Sequence, residues 1–273
     1  MALRRGFGDT GTIAGGGGIS SGPKTFYVRQ GDETTVVLLD DQPVEVVRHQ
    51  MFIKGDRKAN GLRQTCAGMD PVGNPDACPR DCLVCNASLR YDRIARKHML
   101  YLTIIDEREF TIEGKTYKDM KRLLELTPES GDLFKRRRKA NGSLVGARFK
   151  VYRSKSQRSA RHGDDWSFLG FVYNRDAGED PRLGLKRHFW QSQAVLNKRK
   201  YVAEKEGKQI THEEAVEDLI TPYPYEDLMG SYKPTDAQAF VAYYEVAMGI
   251  VSGGAAPAQA AASGRSGLNA PPP

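Results

Sequence analysis

Apolar and polar positions alternate with a period of two in several stretches of the first 175 residues, the spacing of half-buried β-strands. Phe26 and Val28 alternate with polar neighbours, and Thr35–Leu39 is a β-branched run between Gly-Asp and Asp-Asp turns. Val44–Phe52 predicts a third strand. His98–Asp106 is the clearest, with Leu100, Leu102 and Ile104 on one side and Tyr101, Thr103 and Ile105 on the other. Phe110–Tyr117 reads as a hairpin turning at Glu-Gly-Lys. In 147–154, Phe149 and Val151 share a face opposite Arg148, Lys150 and Tyr152, and a last strand covers Trp166–Tyr173. The pattern changes to helical over 119–138, where Met120, Leu123, Leu124 and Leu126 form a stripe interrupted by Pro128 and Gly131. Residues 186–206 form a basic, helical linker. Thr211-His-Glu-Glu has the form of a capping box and starts a helix to Leu219, and 234–248 is a last helix. The fold class is therefore mainly β with a few helices (α+β), and short strands joined by turns point to a small β-barrel.

Composition divides the chain further. Residues 1–22 are Gly-, Ser- and Thr-rich and 251–273 are Gly, Ala, Ser and Pro with a single charge, so both are expected to be disordered arms. Between them the expected organisation is a core over 23–185 with an insertion at about 60–95, then a basic linker and acidic helical segment over 186–250. No apolar run suits a transmembrane span or signal peptide, which predicts a soluble chain in the cytoplasm. The net charge of +7 is unevenly placed. Residues 1–134 are balanced, 135–200 hold 18 basic against 5 acidic side chains, and 201–250 hold 3 against 10. A middle block so basic predicts a polyanion as ligand. The acidic stretch 204–227 offers an oppositely charged surface for protein partners.

The four cysteines fall within 20 residues, as Cys66-x11-Cys78-x3-Cys82-x2-Cys85. A cytoplasmic chain rarely spends its cysteines on disulfides, and Cys-x2-Cys lets two thiolates reach one ion. One structural Zn²⁺ on Cys66, Cys78, Cys82 and Cys85 is the reading; His49 or His98 is the alternative for one ligand, and a disulfide or two buried thiols the alternative for the whole. No His-x-Glu or His-Glu-x-x-His motif accompanies the cluster, which argues against a catalytic metal.

The basic block interleaves with aromatics. Lys135, Arg136, Arg137, Arg138 and Lys139 are followed by Arg148, Lys150, Arg153, Lys155, Arg158 and Arg161; Arg90 and Arg93 precede them; Tyr101, Tyr152, Trp166, Phe171 and Tyr173 lie on the neighbouring strands. Rings on which unpaired bases stack, beside cations that follow the phosphates, are what a single strand requires. No recognition helix for a major groove is apparent. No P-loop, nucleophile elbow or dinucleotide fingerprint occurs, and no enzyme is expected.

The order of these parts is similar to a known family. Gly31-Asp-Glu-Thr-Thr-Val-Val-Leu-Leu precedes the His-bearing strand Val47-Arg-His-Gln-Met-Phe. The Cys cluster closes on Cys-Leu-Val-Cys, and His98–Asp106, the Gly-Lys hairpin, Gly142–Arg153, Asp164-Asp-Trp-Ser-Phe-Leu-Gly and Pro-Tyr-Pro-Tyr-Glu follow. Over roughly 26–232 this resembles the single-stranded-DNA-binding (helix-destabilising) proteins of tailed bacteriophages. The resemblance implies an OB-fold core with an inserted zinc knuckle, a DNA cleft on the strands around 90–173, and a role in phage DNA replication, recombination and repair. It also implies replication or recombination proteins as partners. The family often ends in an acidic tail, whereas the end of this chain is neutral and its acidic stretch internal. The rival reading is a zinc-containing transcription factor or RNA-polymerase-binding protein that contacts duplex DNA.

Overall fold

The computed structural model describes residues 24–55, 63–66, 82–112, 115–156, 162–224 and 234–250. The expected arms, 1–22 and 251–273, lie outside the described residues. In chain order the elements are β1 (Glu33–Leu38), β2 (Val44–Met51), β3 (Arg63–Thr65), α1 (Leu83–Ser88), β4 (Ile94–Asp106), β5 (Phe110–Ile112), β6 (Lys115–Tyr117), β7 (Met120–Leu126), α2 (Pro128–Asn141), β8 (Ala147–Tyr152), β9 (Asp165–Phe171), α3 (Pro181–Phe189), α4 (Gln193–Glu206), α5 (His212–Ile220) and α6 (Pro234–Ala247). The chain forms two compact units. One holds Glu45–Met99 with the described residues from Pro224 onward; the other holds Thr25–Val44 and Leu100–Tyr223. This differs from the expected organisation: the cysteine segment belongs to a larger unit completed by α6, and the expected linker lies in the second unit.

In the first unit the strands run in the order β3-β2-β4. Its core gathers Val47, Met51 and Ile94 from the strands, Val84 and Ala87 from α1, and Ala237, Phe240 and Tyr244 from α6. Tyr91 ties the strand end to α6: its ring packs on Tyr244 and its hydroxyl donates to Glu245 Oε1 at 2.7 Å.

In the second unit the strands run β9-β8-β1-β4-β7, and every pair with a resolved register is antiparallel. Val36, Leu38, Leu102, Leu124 and Phe149 face one apolar cluster that includes Phe134 of α2. Val37, Leu39 and Ile105 face another, built with Leu185, Phe189, Val195 and Val216 of α3–α5. Consecutive apolar residues such as Val36-Val37-Leu38-Leu39 therefore bury both faces of the sheet. That corrects the barrel expectation. A barrel wall would leave one polar outer face, but here helices cover both, and no closed barrel forms among the described residues.

The stripe at 119–138 was expected to be one helix and is a strand followed by a helix. Met120–Leu126 pairs along β4, with Leu102 opposite Leu124. Pro128 cannot sit in a helix interior but suits its first turn. Thr127 caps α2 by accepting the Ser130 N–H, and Gly142 closes it with φ +74°. Within the cysteine segment, Leu83–Ser88 forms a short helix. The capping box of Thr211 and Glu214 forms as expected.

Candidate metal centre and nucleic-acid interface

Alternation along β2 turns Val47, His49 and Met51 inward, all buried. Cys66 directly follows the neighbouring β3, and its N–H donates to the Val47 carbonyl at 3.1 Å. Cys82 is the N-cap of α1 and Cys85 lies within its first turn, so the two-residue spacing presents both thiols on one side. His49, Cys66, Cys82 and Cys85 thus converge, with ligand atoms all within 4.8 Å of one another. Cys66 Sγ lies 3.9 Å from Cys82 Sγ and 3.5 Å from Cys85 Sγ. His49 Nε2 lies 3.6 Å from Cys82 Sγ and 3.3 Å from Cys85 Sγ. A tetrahedral ion with bonds of about 2.3 Å to sulfur and about 2.05 Å to nitrogen requires edges of about 3.8 Å (S to S) and about 3.6 Å (S to N). These four edges lie close to those values, and the group could hold one ion. None of the three cysteines is joined in a disulfide, and their separations are far from the roughly 2.05 Å of that bond. Cys78 lies outside the described residues; among the described residues the fourth member is His49, one of the two histidines named as an alternative ligand. His98 is not a member of the group.

The second constellation lies on β9 and α2. Trp166, Phe168 and Phe171 are all half-buried and pack against the aromatic-rich cluster of Phe26, Phe134 and Phe149. Strict alternation forbids Phe168 and Phe171 from sharing a face. A β-bulge resolves this: Phe149 pairs with Phe168 and Arg148 with Gly170, so Leu169 is the extra residue. Gly170 has φ +110°, a conformation that glycine adopts without a Cβ clash. The result is a run of rings at contact distance, Phe149–Phe168 at 5.4 Å, Phe168–Phe171 at 5.5 Å and Phe171–Tyr173 at 5.2 Å. Two guanidinium groups lie over it, Arg137 at 4.8 Å from the Phe168 centroid and Arg175 at 5.5 Å from Phe171. On α2, Gly131 and Phe134 point inward while Lys135, Arg136 and Lys139 are exposed.

Several residues expected on a nucleic-acid face are elsewhere. Tyr101 is fully buried, because β4 is covered on both faces from Met99 to Asp106 and has no outer side there. Tyr173 is buried where Gly184 of α3 packs against it. Arg153 is buried, its Nη1 donating to the Val28 carbonyl at 2.9 Å. Trp166 serves the core, edge-on to Phe134 at 5.1 Å. Arg148, Lys150 and Tyr152 do share a face, as alternation predicts, but the cations are paired: Arg148 with Glu107 at 2.9 Å and Lys150 with Glu33 at 2.9 Å. Arg148, Glu107 and His188 line an open groove of about 480 Å³. Burial raises the Glu107 pKa, but hydrogen bonds from His188 and Arg148 outweigh it and hold the carboxyl below its ordinary value. Arg138 pairs with Asp41 at 3.0 Å. Arg90, Arg93 and Lys155 are exposed. Arg158 and Arg161 lie outside the described residues.

The acidic stretch is partly spent internally. Glu217 pairs with Arg182 and Lys186, Glu213 with Lys186, and Asp218 with Lys198. Of the residues that sequence reasoning passed over, Phe168 and Arg175 carry the most weight; the glycine between two aromatics three apart was the available signal of a bulge. Among the described residues no helix is long and apolar enough to cross a membrane. No protein-family model matches the chain, and comparison with curated proteins finds no match either.

Proposed function

We propose that this protein binds single-stranded DNA without strong sequence preference, coating and protecting it, and that the metal is a structural Zn²⁺. The observation that carries the reading is the guanidinium-capped aromatic run of β9. Phe168 and Phe171 lie half-buried on the edge strand β9, and the guanidinium groups of Arg137 and Arg175 stand over their rings. Bases stack on such rings whatever their identity, while cations move to the phosphates. Exposed Lys135, Arg136 and Lys139 extend the positive surface along α2. Three thiols and one imidazole form a soft donor set suited to zinc, and four protein ligands leave no open position for catalysis. When bound, the ion cross-links β2, β3 and α1. This reading agrees with the order of features that resembles the phage helix-destabilising proteins. Within it the antiparallel sheet of the second unit stands for the OB-like element, and phage replication and recombination supply the DNA.

The test is titration of labelled oligo(dT) and of duplex DNA with the wild type, Phe168→Ala and Phe171→Ala at two salt concentrations. Stacking worth about 1–3 kcal/mol per base predicts a loss of roughly 5- to 150-fold for each variant on oligo(dT). Equal affinity for duplex, or unchanged oligo(dT) binding by both variants, would overturn the reading.

A further inference from the structure

The first unit carries a ring-and-cation pair of its own. On β2, His49 and Met51 turn inward to the cysteine cluster, and Ile53 is again buried, at 8% exposure. Phe52 lies between them and faces out, 39% exposed. Its backbone N–H donates to the Arg93 carbonyl at 2.8 Å, so the ring is held on an ordered strand end. The ammonium of Lys97 stands 4.6 Å from its centroid. Lys54, Arg90 and Arg93 are exposed in the same unit, and among the described residues none of the three makes an ion pair. The contrast with the second unit is direct, since Arg138, Arg148 and Lys150 there are each neutralised by a carboxylate.

An exposed phenyl ring under a cation, with exposed Lys54 two residues along the chain and exposed Arg93 bonded to its backbone, is a stacking platform with phosphate contacts beside it. We infer that the metal-bearing unit is itself a contact surface for single-stranded nucleic acid, with Phe52 as the base platform and Lys54, Arg93 and Lys97 as phosphate contacts. The metal's part is indirect: His49 and Met51 fix the inward face of β2, which leaves Phe52 outward. This inference rests on the single-strand reading of the β9 run and extends it to a second site.

The experiment measures oligo(dT) and oligo(rU) affinity for the wild type, Phe52→Ala, Phe52→Tyr and Phe168→Ala, with thermal unfolding of each. Phe52→Ala should weaken binding roughly 5- to 150-fold, the scale of one lost stack, and Phe52→Tyr should restore it. The oligo(dT) and oligo(rU) arms assign the preference between DNA and RNA. Should Phe52→Ala unfold, ultraviolet cross-linking of the wild type to oligo(dT) replaces it, and the cross-linked peptide should contain Phe52. If Phe168→Ala weakens binding while Phe52→Ala binds like the wild type, or if no cross-link maps to Phe52, this inference fails and the β9 reading stands. If the wild type binds neither oligonucleotide, both fail.

Discussion

Replacing His49 tests the geometry of the metal group directly, because a four-cysteine site and a three-cysteine, one-histidine site make opposite forecasts for two variants. The edges, 3.5 and 3.9 Å between sulfurs and 3.3 and 3.6 Å from sulfur to His49 Nε2, bring one imidazole and three thiols together where a single ion could be held. The Cys78→Ser variant should then keep about one metal ion per chain, and His49→Ala should lose it or hold it far more weakly. Cobalt substitution reads the ligand set without any assay of activity. Charge-transfer absorbance scales with the number of thiolates, so the wild type should reach about three-quarters of an all-cysteine site and Cys78→Ser should leave it unchanged. The stability consequence is large, since structural zinc contributes about 10–16 kcal/mol of binding free energy that is coupled to folding. The core around the ligands gathers side chains of β2, α1, β4 and α6 together with Cys66 and Cys82. Chelation or His49→Ala should therefore expose backbone amides of β2, β3 and α1 to hydrogen exchange and spare β8 and β9. Metal retained in His49→Ala and lost in Cys78→Ser would refute the assignment of the fourth ligand.

Two further predictions concern the second unit. Burial pushes the Asp40 carboxyl up from 3.8 to about 6, even though it accepts the Thr103 N–H. The folded state then binds its proton more tightly than the unfolded chain, so stability is full below about pH 4 and falls as pH rises through 6, by about 3 kcal/mol. Asp40→Asn should remove that decline, which denaturant midpoints from pH 4 to 8 will read as a difference between the two proteins; parallel profiles would show the carboxyl carries no such cost. Gly131→Ala should destabilise, although alanine gains about 1 kcal/mol of helix propensity. A Cβ there would lie 2.1 Å from Leu100 Cδ1, and Leu100 is locked in the core, so overpacking costs about 1–3 kcal/mol; a raised melting temperature would refute it.

Local chemistry made part of this legible in the sequence. The period-two runs became β1, β2, β4, β8 and β9, the Thr-x-x-Glu signal became a capping box, and Cys-x2-Cys marked the metal group. These signals are carried by residues close in the chain. What sequence alone left open was decided by distant packing. His49 is seventeen residues before Cys66, and nothing in its own strand distinguishes a ligand from a core histidine. Tyr101 alternates away from Leu100 and Leu102, yet the sheet is covered on both sides, so the outer face does not exist. The same limit governs charge. Counting places a strongly basic block at 135–200, but Arg148, Lys150, Arg182 and Lys186 meet carboxylates from other elements, and the local excess overstates the field a ligand meets.

The β9 run shows how one bulge moves the proposed binding surface. Period two assigns Trp166 and Phe168 to one face and Phe171 and Tyr173 to the other, so the four rings cannot all face outward. One extra residue at Leu169 cancels that division and puts Phe168 and Phe171 together. The reversal takes the platform away from the ion-paired face of β8 and toward α2, where Arg137 and the exposed Lys135, Arg136 and Lys139 stand. A consequence follows for charge reversal. Arg136→Glu with Arg137→Glu should weaken oligo(dT) binding and flatten its salt dependence by about two phosphate contacts. Arg148→Glu should act instead on stability, because it sets a new carboxylate against Glu107, and should leave the salt slope as it was. Fluorescence titrations at several salt concentrations, beside melting curves, separate the two effects. If Arg148→Glu flattened the slope and the α2 pair did not, the single strand would lie on the β8 face, and the bulge would have no part in binding.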